Sequence, residues 1–424
     1  MKPKVVLDIA SLGWSWVHKQ HARGIHRVAE RLVSGLLTSQ QCELAFVATS
    51  SIYGSSSLVA EDERFLNTRF FHSHRQIGLS KWAHEKQQWV GKTLADRRFH
   101  LRALRWLAQN MANRADHLAA KFAVQDLAAA NIYHSLMAPI PANIGKSRLK
   151  RFLTVYDLIP LTHPETVNDK GVPLLRRQLD SLTPGSFAFC ISNDVRNDLL
   201  NCTVLPPENV FVTPLAASPE TFYPVDNLDE RRVTLQKHGI PDAPYFLALS
   251  SFDPRKNYIH LIRCFGDLAE SGELDGCNLV LVGTNPERHS CFNEAIAKFP
   301  NLKHRIITPG FISDEDLAAV YSGAVAFVFP SLSEGFGIPV VEAMQCGLPV
   351  ISSNTTSMPE VIGDAGVLLD PHDKDAWCAA MLRVLRDKDF VAGLRQKSKA
   401  RAKLFSWQRF IDETLRGYRT SLAM

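Results

Sequence analysis

Short apolar runs of strand length alternate with helical segments along the whole chain. Because strands that alternate with helices form parallel sheets covered on both faces, this pattern predicts an α/β protein. The chain has 424 residues, more than one hydrophobic core usually supports, so we expect two doubly wound, Rossmann-like domains. A ligand is expected in the cleft between the two sheets, at the carboxyl ends of their strands. The predicted strands lie at 5–9, 44–48, 152–155, 187–191 and 210–213 in the first half, and at 245–249, 278–282, 305–307, 325–329, 349–352 and 366–369 in the second.

A Gly-rich loop follows the apolar run at 324–329 and leads into a predicted helix at about 338–346. Pro339 suits the first helical position, where its missing N–H costs nothing. The N-terminus of a helix has free amides and the positive end of the helix dipole, which together favour an anion such as a diphosphate. The residues at this turn that we expect to bind a donor diphosphate are Gly335, Phe336, Gly337 and Ile338.

Two glutamates, Glu334 and Glu342, flank this turn. A phosphate repels a carboxylate, so we expect these side chains to bind hydroxyl groups instead. A nucleotide sugar offers both kinds of group: Glu342 could accept hydrogen bonds from the ribose, and Glu334 from the transferred sugar. The alternative is that both glutamates lie on a solvated helix start, where acidic residues are generally favourable.

The stretch from 310 to 370 resembles the donor-binding half of retaining glycosyltransferases of the GT-B fold, in particular family four. The resemblance rests on Pro-Gly-Phe-Ile-Ser-Asp at 309–314, Pro-Ser-Leu-Ser-Glu-Gly-Phe-Gly at 330–337, Glu-Ala-Met-Gln-Cys-Gly-Leu-Pro-Val-Ile-Ser-Ser at 342–353 and Met-Pro-Glu-Val-Ile-Gly-Asp-Ala-Gly at 358–366. It implies that Glu334 contacts the donor sugar and Glu342 the ribose. It also implies retention of the anomeric configuration, and relatives that act on bacterial surface polysaccharides, with mannose carried on GDP as the favoured donor.

The loop after the predicted strand at 245–249 reads Ser-Phe-Asp-Pro-Arg-Lys-Asn and places Arg255 and Lys256 at the same sheet edge as the phosphate-binding turn. Two adjacent cations would neutralise the charge that develops on a leaving diphosphate. The family resemblance assigns Arg255 and Lys256 this role. The alternative is a helix-entry pair exposed to water.

The first domain is expected to bring the acceptor and part of the catalytic surroundings. Gly24 begins a Gly-Ile-His-Arg segment that resembles the family's Gly-rich helix start, where close backbone approach to the diphosphate favours glycine. His134 resembles the family's histidine near the reacting centre, although a single histidine at a strand end is more often structural. Asp157 is an acceptor-side or structural carboxylate, and it follows Tyr156, which replaces a histidine of many relatives and stays protonated unless its pKa is perturbed. The candidate catalytic residues are Glu334, His134 and Asp157.

We expect no required metal ion and no cofactor, because the nucleoside-diphosphate sugar is a substrate. Asp314-Glu315-Asp316 could form the metal-binding Asp-x-Asp of another class of glycosyltransferases. Ser313 before it and apolar residues after it instead favour a helix cap with acidic residues in the first turn. The eight cysteines are scattered without a Cys-x-x-Cys pair, which is typical of core thiols in a reducing compartment.

The segment from 75 to 121 is strongly basic, with ten Lys and Arg against three Asp and Glu. Trp82 and Trp89 recur at seven-residue spacing, as do Phe99 and Trp106, which predicts helices with an aromatic stripe. One interpretation is a helical insertion that packs its aromatics onto the first domain and leaves its cations in water. The alternative is peripheral contact with an anionic membrane or a lipid-linked acceptor. No recognition motif accompanies the charge, so we expect no nucleic acid partner.

Together these features predict a retaining, metal-independent hexosyltransferase that moves a hexose from a nucleoside-diphosphate sugar to a hydroxyl of a glycan or lipid-linked oligosaccharide. The alternatives are a GT-B epimerase or phosphorylase, and a non-catalytic carbohydrate- or lipid-binding protein on the same scaffold. Asp8 interrupts the N-terminal apolar run, so we expect no signal peptide and a cytoplasmic protein, at most peripheral at the inner face of the membrane. The predicted domains are 1–215 on the acceptor side and 216–404 for the nucleotide sugar. The resemblance implies that the helix at 405–424 returns to the first domain.

Overall fold

A computed structural model of the chain contains two parallel β-sheets, each covered by helices. It describes residues 2–17, 24–66, 68–93, 129–166, 171–249, 251–274, 276–283 and 290–424, together with 106–108, 110, 111, 114 and 127. The strands are β1 (Lys4–Asp8), β2 (Glu43–Val47), β3 (Arg69–Phe70), β4 (Ile132–Ser135), β5 (Lys150–Val155), β6 (Ser186–Cys190), β7 (Val210–Val212), β8 (Tyr245–Leu249), β9 (Asn278–Val282), β10 (Ile306–Gly310), β11 (Ala326–Phe329), β12 (Val350–Ser353) and β13 (Gly366–Leu369).

The first sheet has seven strands in the order β3-β2-β1-β4-β5-β6-β7, and the second has six in the order β10-β9-β8-β11-β12-β13. The strands form because short apolar runs are buried on both faces, as a parallel sheet requires. Ile132 and Tyr133 in β4, like Phe246 and Leu247 in β8, expose no surface. The helices are Ala10–Val17, Ile25–Ser39, Ile52–Glu61, His74–Thr93, Ala142–Gly145, Ile159–Thr162, Gly171–Asp180, Asn193–Cys202, Leu228–Lys237, Tyr258–Glu270, Ser290–Ala297, Asp314–Gly323, Ile338–Gln345, Met358–Ile362, Lys374–Arg386, Lys388–Ala402 and Trp407–Ala423.

In both sheets the chain builds strands on one side first and then continues on the other side. The change occurs between β1 and β4 in the first sheet, and between β8 and β11 in the second. At such a point the two neighbouring loops turn to opposite faces of the sheet and leave a crevice, where open α/β sheets bind their ligands. The second crevice lies between the loop after β8, with Arg255 and Lys256, and the loop after β11, with Glu334.

The last helix, Trp407–Ala423, lies on the first domain. It packs against the helix Ile25–Ser39 and against β7. Glycine permits the close approach, because a Cβ at Gly417 would lie 2.5 Å from the ring of Phe189 in β6. The predicted boundary at 215 falls in the connection between β7 and β8, and the positions of the domain boundaries stay predictions.

Two helix starts are set by identifiable residues. Ser192 caps the helix Asn193–Cys202 and accepts a hydrogen bond from a first-turn amide at 3.1 Å. The helix predicted at 338–346 spans Ile338–Gln345, with Pro339 in its first turn. Gly337 precedes it with a φ of 86°, a left-handed conformation that glycine adopts without strain.

The basic segment begins with the helix His74–Thr93. Trp82 and Trp89 lie on its solvent side, with 44% and 58% of their surface exposed. The expectation that these aromatics pack onto the first domain is therefore wrong for this helix. The inner face of the helix is instead formed by smaller residues, which are Ser80, Ala83 and Val90.

The rest of the basic segment is described only in part. Phe99 lies outside the described residues, as does most of 94–121, whereas Trp106 is described and is 66% exposed. Among the described helices, none combines the length and the apolar character needed to cross a membrane.

Candidate active site

The carboxylate of Glu334 is buried between two cations at the crevice of the second sheet. Its Oε1 lies 2.5 Å from Lys256 Nζ, and its Oε2 lies 3.1 Å from Arg255 Nη1. Arg255 also donates a hydrogen bond to the carbonyl of Ser333. The three charged side chains are only 10 to 12% exposed. This burial does not fit the alternative of a helix-entry pair in water.

The two cations keep Glu334 ionised. Burial alone would raise the pKa of Glu334, but the charges of Lys256 and Arg255 outweigh it and lower the pKa below its ordinary value. Burial in turn lowers the pKa of Lys256, and the Glu334 carboxylate opposes this effect. The two cations outnumber the one carboxylate that they contact directly, which suits an arriving anion.

Asp157, in the first domain, lies near enough to this cluster for its charges to affect the pKa of Asp157. Burial raises the pKa of Asp157, and the charges of Arg255 and Lys256 act against that effect while Glu334 adds to it. One carboxylate oxygen accepts a hydrogen bond from the amide of Ile159 at 3.1 Å. Two predicted catalytic residues, Asp157 and Glu334, therefore share one neighbourhood.

Gly335 is the point where the two domains approach most tightly at this cluster. A Cβ at Gly335 would lie 2.3 Å from the carbonyl oxygen of Tyr156 and 3.1 Å from Cβ of Asp157. Only glycine fits here without moving the backbone of one domain. The Tyr156 hydroxyl is buried and has no hydrogen-bond partner among the described residues, and burial raises its pKa far above neutrality. Tyr156 therefore stays protonated and cannot serve as a base at neutral pH.

Glu342, in the helix Ile338–Gln345, is held by a hydroxyl and a guanidinium. Its Oε2 accepts a hydrogen bond from the Tyr321 hydroxyl at 3.0 Å, and its Oε1 one from Arg27 Nη1 at 3.1 Å. Arg27 belongs to the first domain and also pairs with Asp314 at 2.5 Å. Burial raises the pKa of Glu342 to about 7, although the charge of Arg27 opposes it. The Glu342 side chain is only 6% exposed, which is the burial that raises this pKa.

A single tight turn connects these two carboxylates. A Cβ at Gly337 would lie 2.6 Å from the Met358 side chain, so glycine lets the turn rest directly on the residue beneath it. Phe336 is buried and packs edge-on against Phe405 at 5.5 Å. The helix starts at Ile338, followed by Pro339, which has no N–H, and by Val340, whose amide donates to the Gly337 carbonyl at 2.9 Å. Of these three residues, Ile338 therefore offers its amide to an anion.

Gly24 stands directly before the helix Ile25–Ser39 with a φ of 51°. A Cβ at this position would meet nothing within 4 Å. The backbone conformation, and not a close contact in this structure, therefore explains the glycine. Three residues later the same helix start brings Arg27 to Glu342.

His134 is not part of this cluster. It lies inside β4 with no exposed surface, and its two ring nitrogens bond to the Tyr418 hydroxyl at 2.6 Å and to Thr154 Oγ1 at 2.8 Å. Burial lowers the pKa of His134 to about 3. Since both nitrogens are occupied and the ring is enclosed by the last helix, the structure corrects the expectation of a reacting-centre histidine: His134 fastens that helix to the first sheet.

Sequence reasoning missed two residues that hold Glu342. Arg27 is the last residue of the Gly-Ile-His-Arg segment at the predicted helix start. Nothing in the sequence indicated that its partner is Glu342, 315 positions away. Tyr321 lies in the helix before β11 and looks like an ordinary core tyrosine from its spacing. Both assignments required the fold.

Two adjoining cavities open on the first-domain side. One, of about 290 Å³, is lined by Asp157, Tyr156 and Arg255. The other, of about 370 Å³, is lined by Asp8 and Trp14 at the carboxyl ends of the first sheet. They share the lining residues Met137, Leu174 and Gln178, so together they form one path toward the Glu334 cluster.

The acidic triplet at 314–316 begins a helix, as its sequence context favoured. Asp316 pairs with Lys237 at 2.7 Å and with His238 at 2.8 Å, within the first turn of the helix Asp314–Gly323. Within the described part of the chain, no three His, Cys, Asp or Glu side chains gather as a metal-binding group would require.

Two parallel sheets that face each other across a crevice have the arrangement of the GT-B class of glycosyltransferases. In this chain the paired cations and the two carboxylates lie at that crevice. Solved structures agree over the whole chain. Sucrose-phosphate synthase from Thermosynechococcus elongatus superposes with a TM-score of 0.65 at 18% identity, covering 100% of both chains. HepE from Anabaena, solved with UDP and glucose, superposes with a TM-score of 0.63 at 14% identity, covering 98% of this chain and 99% of that one. At these identities the similarity shows the fold.

Sequence comparison gives the family. The model described as Glycosyl transferases group 1 matches residues 230–404. O-antigen chain mannosyltransferase B of Escherichia coli is 31% identical over 290 residues, which cover 68% of this chain and 74% of that protein. The chain belongs to the group 1 glycosyltransferases. Serotype-specific mannosyltransferase WbdA of Escherichia coli is 30% identical over 274 residues, 63% of this chain, and this match spans only 33% of WbdA.

Proposed function

We propose that this protein is a retaining, metal-independent hexosyltransferase that moves a hexose from a nucleoside-diphosphate sugar to a hydroxyl of a glycan or lipid-linked oligosaccharide. The observation that carries the proposal is the buried cluster in which Arg255 and Lys256 hold Glu334 beside the phosphate-binding turn and opposite Asp157. Two cations next to a helix N-terminus suit a diphosphate, and the ionised carboxylate suits the hydroxyls of a sugar.

The chemistry follows from these charges. As the bond between the anomeric carbon and the diphosphate breaks, negative charge grows on the leaving group and is stabilised by Arg255, Lys256 and the helix amides. When the diphosphate binds, Arg255 and Lys256 pair with it instead of with Glu334. The Glu334 carboxylate then accepts hydrogen bonds from hydroxyls of the sugar. The acceptor hydroxyl attacks the oxocarbenium-like carbon from the face that the diphosphate leaves, which retains the anomeric configuration.

The acceptor enters from the first domain in this proposal. The two adjoining cavities lead from Asp8 and Trp14 to Asp157, and their lining mixes carboxylate, amide and aromatic groups that suit a sugar. Asp157 is the carboxylate on that path next to the cations. It is therefore our candidate for orienting the acceptor hydroxyl.

The relatives' names favour mannose as the transferred hexose and surface polysaccharide as the product. O-antigen chain mannosyltransferase B and WbdA are both named as mannosyltransferases. We accordingly propose a mannosyl donor, with GDP as its nucleotide, and an O-antigen type of glycan as acceptor. The UDP in HepE keeps a uridine donor within the first set of compounds to test.

We place this reaction on the cytoplasmic side, at the inner face of the membrane. All eight cysteines are free thiols, which fits a reducing compartment. The helix His74–Thr93 exposes Leu79, Trp82 and Trp89 along one side, and Lys86 Nζ lies 6.0 Å from the Trp89 ring. Exposed tryptophans next to cations suit the interface of an anionic bilayer. Co-sedimentation with phosphatidylglycerol vesicles and with neutral vesicles tests this part of the proposal. We expect the wild type to bind the anionic vesicles more strongly, and a Trp82→Ala, Trp89→Ala double variant to bind them less.

The central experiment titrates the purified protein by calorimetry, without added metal, with UDP-, GDP-, ADP- and dTDP-sugars. A Glu342→Ala variant tests the ribose contact, and Glu208→Ala, which removes an exposed glutamate of the first domain, is its matched control. We expect one nucleotide class to bind, and Glu342→Ala alone to weaken it. Incubation of that donor with glycan acceptors, followed by NMR of the new anomeric centre, tests transfer and retention.

Other outcomes would replace the proposal. Isomerisation of the donor without acceptor would identify an epimerase, and use of free phosphate a phosphorylase. Binding without turnover across the acceptors would favour a carbohydrate-binding protein.

A further inference from the structure

A second large cavity, of about 740 Å³, lies at the opposite edge of the second sheet. Its lining includes Tyr245, where β8 begins, and Val325, which directly precedes β11. The turn from Gly335 to Ile338, where we propose that the donor binds, follows the carboxyl end of β11. A four-residue strand at about 3.3 Å per residue separates the two edges by roughly 13 Å, so this cavity is distinct from the donor crevice.

Cations outnumber carboxylates in the lining of this cavity. Its charged residues are Arg231, Arg232, Lys388, Arg395 and Asp242. The one carboxylate, Asp242, is taken by Arg232, with 2.9 Å between the paired atoms. Three cations remain without a carboxylate in the cavity.

Arg395 is the most exceptional of these three. It is half-buried in the helix Lys388–Ala402, and among the described residues it has neither a hydrogen bond nor an ion pair. Burial and the neighbouring charge of Arg231 both lower its pKa. Arg231 donates one hydrogen bond, to the carbonyl of Ser322 at 3.1 Å, and has further N–H groups to offer. Two like charges therefore share a recess whose one lining carboxylate, Asp242, is paired with Arg232.

The remaining walls are apolar. They come from the helix Leu228–Lys237, from the start of β8 and from the two helices at 374–402, and consist of Leu228, Leu235, Tyr245, Val384, Leu385 and Val391. A cavity of this volume accommodates a small organic ligand. The ligand that fits both halves of the lining has an anionic head and an apolar or aromatic body.

We propose that this cavity is a second binding site, for an organic phosphate whose phosphate group is held by Arg231 and Arg395 and whose body lies on the apolar walls. A phosphate monoester carries close to two negative charges and three acceptor oxygens, which matches two guanidinium forks better than a single carboxylate does. Lys388 at the rim adds a third cation. The site is independent of the transferase reaction proposed for the crevice.

Calorimetric titration of the full chain with three probes tests the site: inorganic phosphate, adenosine monophosphate, and decyl phosphate below its micelle-forming concentration. Each probe is titrated into the wild type and into Arg395→Gln and Arg231→Gln. Lys397→Gln is the matched control, because Lys397 lies in the same helix and pairs with Asp364 outside the cavity. Lys256→Gln reports binding in the donor crevice instead.

We expect at least one organic phosphate to bind, and the loss of either arginine to weaken it roughly tenfold or more, as for a lost charge-assisted hydrogen bond. Lys397→Gln and Lys256→Gln are expected to leave that affinity within about twofold. The tighter of the two organic probes then shows whether the body is aromatic or aliphatic, and either result supports the site. Circular dichroism checks that each variant is folded. Because Arg231 and Arg395 lie on different helices, one of the two variants can still test the site if the other misfolds.

Three outcomes would overturn the proposal. The first is that no probe binds. The second is binding that Lys256→Gln abolishes while both arginine variants retain it, which assigns the anion to the donor crevice. The third is equal affinity for inorganic and organic phosphate, which removes the role of the apolar walls.

Discussion

Glu342 should make the stability of the second domain fall as the pH rises toward neutrality. In the folded protein its side chain is only 6% exposed, and burial raises its pKa from 4.5 to about 7. An unfolded chain would ionise Glu342 near its ordinary pKa. A raised pKa in the folded state contributes stability that is fully present below about pH 4.5 and is lost as the pH rises through 7.

The size of this effect follows from the pKa difference. One pKa unit corresponds to about 1.4 kcal/mol, so a rise from 4.5 to about 7 is equivalent to roughly 3 kcal/mol. Most of the loss falls between pH 4.5 and 7, at about 1.4 kcal/mol per pH unit, and it levels off above pH 7. Because the side chain is enclosed, solvent screening reduces this figure little.

Glu342→Gln removes the titrating group and keeps an oxygen that can accept the Tyr321 hydrogen bond. Any fixed cost of the substitution is the same at every pH. Urea denaturation of wild type and variant from pH 4.5 to 8, followed through the transition of the second domain, gives the free energy of unfolding of each. From pH 4.5 to pH 8, the free energy of unfolding of the variant should rise by about 3 kcal/mol relative to that of the wild type.

Two controls sharpen the measurement. Glu208→Gln removes an exposed glutamate, and its curve should follow the wild type. Arg27→Met removes the charge that lowers the pKa of Glu342, so the loss of stability should extend above pH 7. Parallel curves for wild type and Glu342→Gln across the whole range would refute the reasoning, because they would show that Glu342 has the same pKa folded and unfolded.

The remaining predictions concern neighbouring positions. Gly335→Ala should lower kcat/KM at least tenfold, because its Cβ would lie 2.3 Å from a carbonyl oxygen of the facing domain; Gly393→Ala, with nothing within 4 Å, should not, and equal kinetics for both would contradict the close approach. Lys256→Met should lower kcat roughly a hundredfold or more at saturating donor, as for other groups that stabilise transition-state charge, and an unchanged kcat would remove it from the chemistry. Tyr418→Phe leaves a ring nitrogen of His134 without its partner and should cost about 1–3 kcal/mol in urea denaturation. A large fall in kcat with unchanged stability would instead return His134 to the reacting centre.

The geometry of the proposed donor site was predictable because its signals are local. The turn from Gly335 to Ile338 and the two flanking glutamates lie within nine consecutive positions, and a helix N-terminus favours an anion. Arg255 and Lys256 are distant in sequence, yet they follow a predicted strand of the same sheet. Since carboxyl ends of parallel strands meet at one edge, the rule for α/β sheets placed them beside Glu334 before any coordinates.

The partners of the buried polar groups could not be predicted in this way. His134 resembled a catalytic histidine because the sequence shows only its position after a short apolar run. Its actual partner, the Tyr418 hydroxyl, is 284 positions away on the last helix, and no local pattern links the two. The same limit explains why the sequence left two interpretations open for Trp82 and Trp89: seven-residue spacing fixes a common helix face but does not say whether that face turns inward.

The surroundings of Glu334 and Glu342, which flank the turn, shift their pKa values in opposite directions. Glu334 lies between two cations, which lower its pKa, so it remains an anion over the working range of pH. Glu342 has one cation and a hydroxyl, and burial raises its pKa to about 7. Two acids of one kind in contrasting environments can perform different tasks at one pH. A permanent anion suits the side of the sugar where positive charge develops, whereas a carboxyl near its pKa can meet a neutral ribose without a large desolvation cost. The opposite shifts therefore support distinct places for Glu334 and Glu342 along one bound donor.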